Sequence, residues 1–332
     1  MQAIEVFPPG DKETNLQFNA DGRLRHLLTL KGLSRTVLIE LLDHAQRYVI
    51  APGEATIRNR SLVGRTVANL FFEPSTRTRA SFDLAAKRLG ADVLNLDVNT
   101  SSRKKGESIL DTIYTLQAMR VDIMVVRDAS SGVPAYIARH ANEHTSILNA
   151  GEADVSHPTQ GLLDLLTIRQ RKGQIKNLVV AIVGDIMHSR VARSAAEGLN
   201  TLGVGQLRLI SPPALAPDPD EMPFATIIDN LDDGLRGADV VMALRIQRER
   251  IGSLDGIPGI DEYFANYGIS SERMQSAADG AIVMHPGPMN RGIEIESVLA
   301  DSPASAITQQ VANGVAVRMA VLERVGQAME SR

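Results

Sequence analysis

The sequence predicts an α/β fold made of two doubly wound parallel-sheet domains. Three observations carry that prediction. Apolar runs of strand length alternate with segments of helical period, the pattern of parallel sheets flanked by helices. The alternation occurs in two series, with a boundary between residues 150 and 160. Finally, 332 residues exceed what one hydrophobic core holds, since single cores stop growing near about 250–300 residues.

Each element has a local reason. A first helix is expected over 35–48, capped by Ser34, with Val37, Leu38, Leu41, Leu42 and Ala45 on one face. An apolar strand over 66–72 runs into the turn residues Glu73-Pro74-Ser75. From Thr76 the period becomes helical, with Phe82, Ala85, Ala86 and Leu89 on one side, and Gly90 stops the helix. A strand follows over 91–97, then a helix over 109–119, a strand over 121–126, a short helix near Tyr136 and a strand over 146–150. The second series opens with a helix over 159–171 and a fully apolar strand over 178–183. It continues with a helix over 188–199, a strand over 206–210 and a turn-rich stretch over 211–219. Strands are expected over 238–244 and 281–285. Ile307, Val311, Val315, Met319 and Leu322 place one long helix over 303–326.

Composition narrows the function classes. Hydrophobic residues at 44% and charged residues at 22% describe a globular protein in water. A formal net charge of -4 gives no reason to expect nucleic acid or an anionic membrane as a partner. With 0 Cys there is no disulfide, thiolate nucleophile or cysteine-based zinc site, which suits a reducing cytoplasm. Residues 1–20 carry charges and the turn run Pro8-Pro9-Gly10 instead of an apolar signal stretch, so they read as an extended or mobile arm. No window approaches the roughly 20 apolar residues of a membrane helix.

In parallel α/β sheets, ligands bind on the loops that follow the strands. The first such loop is Ser75-Thr76-Arg77-Thr78-Arg79. Free N–H groups at a helix start, three hydroxyls and a guanidinium suit a phosphate. Helix capping explains Ser75 alone, and the glycine-rich run of a P-loop is absent. Arg127 follows the strand over 121–126, and His157-Pro158-Thr159-Gln160 opens the next helix. Arg190 stands near a helix start, Arg245 and Gln247 follow the strand over 238–244, and His285-Pro286-Gly287-Pro288 follows the last strand. Singly, each is as readily a solvated arginine or a satisfied histidine. Together, Arg77, Arg127, Arg190 and Arg245 are expected to converge on one cleft in an acidic protein, which calls for strongly anionic ligands. Two other patterns are set aside. His140-Ala141-Asn142-Glu143-His144 matches H-x-x-E-H but has no apparent third zinc ligand. Gly184-Asp185 follows a strand without the remaining glycines of a dinucleotide turn.

The run from Phe71 to Phe82, with Glu73-Pro74-Ser75-Thr76-Arg77-Thr78-Arg79 at its centre, resembles the carbamoyl-phosphate signature of the aspartate and ornithine carbamoyltransferase family. The resemblance continues through Asn99-Thr100-Ser101, Lys104-Lys105-Gly106-Glu107-Ser108, His157-Pro158-Thr159-Gln160, Gly184-Asp185, Arg245 to Arg250 and His285-Pro286-Gly287-Pro288. It spans nearly the whole chain from His26 onward.

The resemblance implies a first domain for carbamoyl phosphate over 21–155, a second for the amino acid over 156–302, and a last helix (303–332) returning to the first. It implies transfer of the carbamoyl group to an amine without metal or organic cofactor. Ser75, Thr76, Arg77 and Thr78 would hold the phosphate. Arg127, His157 and Gln160 would bind the carbamoyl group, with Thr78 also reaching its carbonyl oxygen. Ser101 and Lys105 would come from the neighbouring subunit of a homotrimer. Arg190, Arg245 and Gln247, with Lys105, would grip the amino acid, and the Gly287-Pro288 backbone would touch both substrates. Two arginines suit the two carboxylates of L-aspartate and would repel the ammonium of ornithine. The ornithine branch carries a cysteine near its end, which this chain lacks. On the aspartate branch, the product would be N-carbamoyl-L-aspartate, an early intermediate of pyrimidine (UMP) synthesis. Pro288-Met289-Asn290-Arg291-Gly292 resembles the type associated with dihydroorotase or an inactive homologue of it, not the type with zinc-bearing regulatory chains.

Overall fold

The computed structural model describes residues 16–51, 53–96, 108–247 and 257–329. It divides into two compact units, residues 1–159 with 314–332, and residues 160–313. The chain crosses from one to the other inside helices Pro158–Lys172 and Ile307–Gln327. Each unit is built on one wholly parallel sheet, the architecture that the alternating pattern predicts.

The first sheet contains β1 (Thr66–Phe71), β2 (Asp92–Leu96), β3 (Ile123–Asp128) and β4 (Ser146–Glu152), in the order β2-β1-β3-β4. Every residue of β3 and β4 is buried, which is how a strand reads when both sheet faces are covered. Leu70, Met124, Val126, Ile137 and Ile147 share one apolar cluster in this unit. Residues before the first helix extend the edge beside β4. Leu27 N–H donates to Ile147 O at 3.0 Å, and Asn149 N–H donates to Leu27 O at 2.9 Å. Of the arm expected over 1–20, residues 1–15 lie outside the described residues. Gln17 is wholly buried, with its Oε1 accepting from the N–H groups of Leu28 and Thr29.

Helix α1 (Arg35–Gln46) begins at Ser34, whose hydroxyl accepts from Val37 N–H at 3.2 Å, and it buries Leu38, Leu41, Leu42 and Ala45. A polar cluster ties it to the last helix. Glu323 accepts from His44 Nε2 at 2.5 Å and from the Tyr48 hydroxyl, which in turn accepts from Asn59 Nδ2 at 2.6 Å. Burial opposes ionisation of Glu323, but the bonds from His44 and Tyr48 outweigh it and hold the carboxyl at a pKa of about 2.

The second sheet contains β5 (Val179–Val183), β6 (Gln206–Ile210), β7 (Thr226–Ile228), β8 (Val240–Ala243) and β9 (Ile282–Met284), in the order β7-β6-β5-β8-β9. Ala181, Val183, Ile210, Val241, Tyr263 and Val283 lie in its core. The sequence pattern misses β7, a three-residue edge strand too short to show a period, and the helices Leu231–Leu235 and Ile260–Tyr267. Among the described residues, no helix is long and apolar enough to cross a membrane.

Both strand orders reverse direction at one point. In the first sheet, β1 is flanked by β2 on one side and β3 on the other; in the second, β5 is flanked by β6 and β8. Loops leaving the two central strands at such a point run to opposite faces and open a crevice at the carboxyl edge.

Candidate active site

The phosphate-type loop and Arg127 lie on the two strands that meet at the switch point of the first unit. Beyond β1, helix α2 (Thr76–Arg88) starts directly at the phosphate-type loop. Ser75 has extended backbone and makes no side-chain capping bond, so capping does not account for its hydroxyl. N–H groups in the first turn of a helix have no intrahelical carbonyl partner and carry the positive end of the helix dipole. Thr76 and Arg77 are exposed there, while Thr78 is buried.

Arg127 departs from its expected position. The sequence pattern places it after a strand ending at residue 126, but it lies inside β3, paired in register with Phe71, and its carbonyl accepts from Phe72 N–H at 2.8 Å. A buried arginine is tolerable in a strand only when its guanidinium is engaged. Here Nη2 donates to Glu73 Oε1 at 2.9 Å and Nη1 donates to Ala150 O at 3.1 Å. The side chain therefore runs along the carboxyl edge between β1 and β4, on the strand that helices α3 (Ile109–Ala118) and α4 (Val133–His140) precede and follow in the chain.

His157 is buried immediately before Pro158, the first residue of helix α5 (Pro158–Lys172). The turn leading to it is set by Asn149 and Glu152. Asn149 Oδ1 accepts from Gly151 N–H at 2.8 Å, its Nδ2 donates to Glu152 Oε2 at 3.0 Å, and Glu152 N–H donates to Ser156 O at 2.9 Å. Gln160, three residues further along, belongs to the second unit.

At the switch point of the second unit, a buried carboxylate organises two loops. Asp185 follows Gly184 directly after β5. Its Oδ1 accepts from His188 N–H at 3.1 Å and from His188 Nδ1 at 2.9 Å, and its Oδ2 accepts from Gln247 N–H at 3.1 Å. Gln247 Nε2 donates to His188 O at 2.9 Å. Helix α6 (Arg190–Leu202) then begins with the Ser189 hydroxyl accepting from Ala192 N–H, which fixes the buried Arg190 at its first position. Arg245 is half-buried on the loop after β8. Gly184 has φ +131°, and a Cβ there would stand 2.6 Å from Leu244 O, so the two loops touch only because residue 184 is glycine.

On the β9 side, the loop from His285 to Pro288 is pinned from within. His285 Nδ1 accepts from Gly287 N–H at 2.8 Å, and its Nε2 meets the buried Glu294 Oε1 at 3.1 Å. The peptide between Gly287 and Pro288 is cis. Asp185, His188, Glu73 and Glu294 carry much of this local order. Glu73 and Asp185 stand in motifs that the sequence shows, whereas no spacing signal distinguishes His188 and Glu294 from surface residues. Ser101, Lys105 and the run from Arg248 to Arg250 lie outside the described residues. The H-x-x-E-H residues are spoken for locally. His140 Nδ1 donates to Tyr136 O at 2.8 Å, and His144 lies exposed, 3.6 Å from Glu143.

Comparison with known proteins places both halves. Residues 25–170 match the family model described as "Aspartate/ornithine carbamoyltransferase, carbamoyl-P binding domain", and residues 176–325 match "Aspartate/ornithine carbamoyltransferase, Asp/Orn binding domain". Among solved structures, aspartate transcarbamoylase from Trypanosoma cruzi in complex with N-(phosphonacetyl)-L-aspartic acid is 31% identical. The match covers 93% of this chain and 98% of that one, with a TM-score of 0.80. The same protein in complex with carbamoyl phosphate and aspartate matches at 31% identity over 90% and 96% of the two chains, TM-score 0.80. Ornithine carbamoyltransferase from Pyrococcus furiosus matches at 27% identity over 90% and 96%, also with a TM-score of 0.80.

Proposed function

The chain belongs to the aspartate/ornithine carbamoyltransferase family, and on that premise we propose that it transfers the carbamoyl group of carbamoyl phosphate to the amino group of L-aspartate. The products are N-carbamoyl-L-aspartate and phosphate. The observation that carries this reading is the placement of Arg190 and Arg245 on the two loops that Asp185 joins at the second switch point. Two guanidinium groups match a dicarboxylate and disfavour the ammonium of ornithine. The higher identity to an aspartate enzyme than to ornithine enzymes supports the same choice.

In this reading, Ser75, Thr76, Arg77 and Thr78 hold the phosphate, and Arg127, His157 and Gln160 hold the carbamoyl group. Arg190, Arg245 and Gln247 hold aspartate, and the Gly287-Pro288 backbone contacts both ligands. Carbamoyl phosphate carries about two negative charges and aspartate has two carboxylates, so their approach is repulsive. Arginines on each ligand, together with Lys105, offset that repulsion. The neutral amine attacks the carbonyl carbon, and the developing oxyanion is stabilised by donors from Thr78, Arg127 and His157. The carbon–oxygen bond to phosphate breaks, and the departing phosphate takes the amine proton. Holding both reactants in register supplies much of the acceleration.

Ser101 and Lys105 act from a neighbouring subunit of a homotrimer in this proposal. The reaction serves pyrimidine synthesis in the cytoplasm, with a dihydroorotase-like protein as a candidate partner. The decisive experiment supplies carbamoyl phosphate with aspartate or with ornithine and identifies the product, alongside a measurement of particle size. Carbamoyl-aspartate from trimers is the expected result; citrulline as the main product would overturn the aspartate reading. Mixing inactive Lys105→Ala and Arg77→Ala subunits should restore part of the activity. Verified hybrid trimers without activity would rule out shared sites.

A further inference from the structure

One buried carboxylate in the second unit controls the orientation of two glutamine side chains. Asp164 lies in α5, four residues after Gln160, with 0% of its surface exposed. Its Oδ1 accepts from Gln160 Nε2 at 3.0 Å and from Gln310 Nε2 at 2.8 Å. Gln310 Oε1 then accepts from the backbone N–H of His285 at 2.9 Å. The same carboxylate is thereby tied to Gln160 on one side and to the base of the His285–Pro288 loop on the other.

The two ends of a glutamine amide have nearly the same shape, and their partners decide which end points where. One oxygen of Asp164 takes both glutamine NH2 groups, so it serves as an acceptor. Gln160 must therefore turn its NH2 toward Asp164, which leaves Oε1 as the end directed away from it. Gln310 obeys the same rule, and the N–H of His285 on its oxygen agrees with that assignment. The outward end of Gln160 is consequently an acceptor. An acceptor discriminates between ligands of equal shape, because an NH2 group satisfies it and a methyl group leaves it unpaired.

We propose that Asp164 is a specificity-determining positioning residue. By holding the NH2 of Gln160, it presents Gln160 Oε1 to the ligand and selects a carbamoyl phosphate over the matching acetyl phosphate. This rests on the carbamoyltransferase reading of Gln160. Asp164 itself touches no reactant; it acts through Gln160, and its bond to Gln310 keeps the His285 loop in register with that amide.

The test measures, for the purified enzyme, the KM of carbamoyl phosphate and the inhibition constant of acetyl phosphate competing with it. In Asp164→Ala, the KM should rise about tenfold, the loss of one hydrogen bond at the site, with the acetyl phosphate constant unchanged. Asp164→Asn retains an acceptor oxygen and should restore most of the preference. Gln160→Ala should match Asp164→Ala, and the double variant should be no worse than either, because the two residues act as one unit. Equal weakening of both ligands in Asp164→Ala would mean a structural role and overturn the proposal, as would an unchanged preference. Should Asp164→Ala not fold, Asp164→Leu, which fills the buried space without an acceptor, decides by the same readout. Preference lost with the acetyl phosphate constant unchanged supports the inference, and preference retained overturns it. Failure of the wild-type chain to form any carbamoylated product would instead overturn the parent reading, and this inference with it.

Discussion

Glu73 Oε1 lies 2.9 Å from Arg127 Nη2, so the residue just beyond β1 holds the guanidinium carried by β3 across the first switch point. Both side chains are largely withdrawn from solvent, where a charge-assisted bond contributes about 1.5–3 kcal/mol. Arg127 can present donors to a carbonyl oxygen only if its own orientation is set, and Glu73 and Ala150 O set it.

Glu73→Gln keeps the shape and removes the charge. It should lower kcat/KM for carbamoyl phosphate by about tenfold to a hundredfold with little change in the thermal midpoint. Wild-type kinetics in that variant would show that Arg127 needs no such anchor.

Arg77→Ala and Arg245→Ala should separate the two ligands. Arg77 is exposed at the start of α2, so its loss should leave the fold intact and lower kcat by about a hundredfold or more. Arg245→Ala should chiefly raise the KM for aspartate, by roughly a hundredfold, as expected on removing one partner of a close charge pair. Saturation curves for each substrate decide this, and an unaltered aspartate curve for Arg245→Ala would take that residue out of the site.

Gly184→Ala tests the contact between the two loops of the second unit. A φ of +131° with a Cβ 2.6 Å from Leu244 O forces the backbone to shift next to Arg245. Strain at such a position costs about 1–3 kcal/mol before the overlap is counted. Thermal unfolding should move several degrees lower, and the aspartate KM should rise with it. A variant with the wild-type midpoint would show that the loops can part freely.

His26 predicts an acid-sensitive fold. Burial, reinforced by the neighbouring Arg25, lowers its pKa from 6.5 to about 3, and its Nδ1 accepts from Ile147 N–H at 2.9 Å. The unfolded chain therefore binds a proton between pH 6.5 and 3 that the folded chain does not, and stability must fall as pH drops through that window. The slope from this one residue approaches about 1.4 kcal/mol per pH unit. His26→Asn keeps an acceptor that cannot titrate, so its denaturation midpoints should vary less with pH than those of the wild type. Parallel pH profiles would remove His26 as the cause.

Much of this molecule is legible from local sequence. Strands and helices follow from runs and periods within a dozen residues, so β1, β3, α2 and α5 are expected within about two residues of where they lie. The phosphate-type loop is equally local, because a strand end, a helix start and their hydroxyls occupy one continuous stretch. Arg127 is placed just outside its strand because a charged side chain reads as a strand end until its partners are known. Those partners are distant along the chain.

Glu73 and Arg127 are 54 residues apart, Asp185 and Gln247 are 62 apart, and Asp164 and Gln310 are 146 apart. Nothing in the spacing of such residues marks an aspartate as buried, since an acid on a surface loop and one holding two loops together look alike in isolation. Strand order does decide it. Setting β3 beside β1, and β8 beside β5, brings their carboxyl ends side by side and withdraws Glu73 and Asp185 from water, while Asp164 is covered where Gln310 meets helix α5. An ionised group removed from water must find donors, so the packed fold assigns Glu73, Asp164 and Asp185 their partners where the linear chain could only supply the residues.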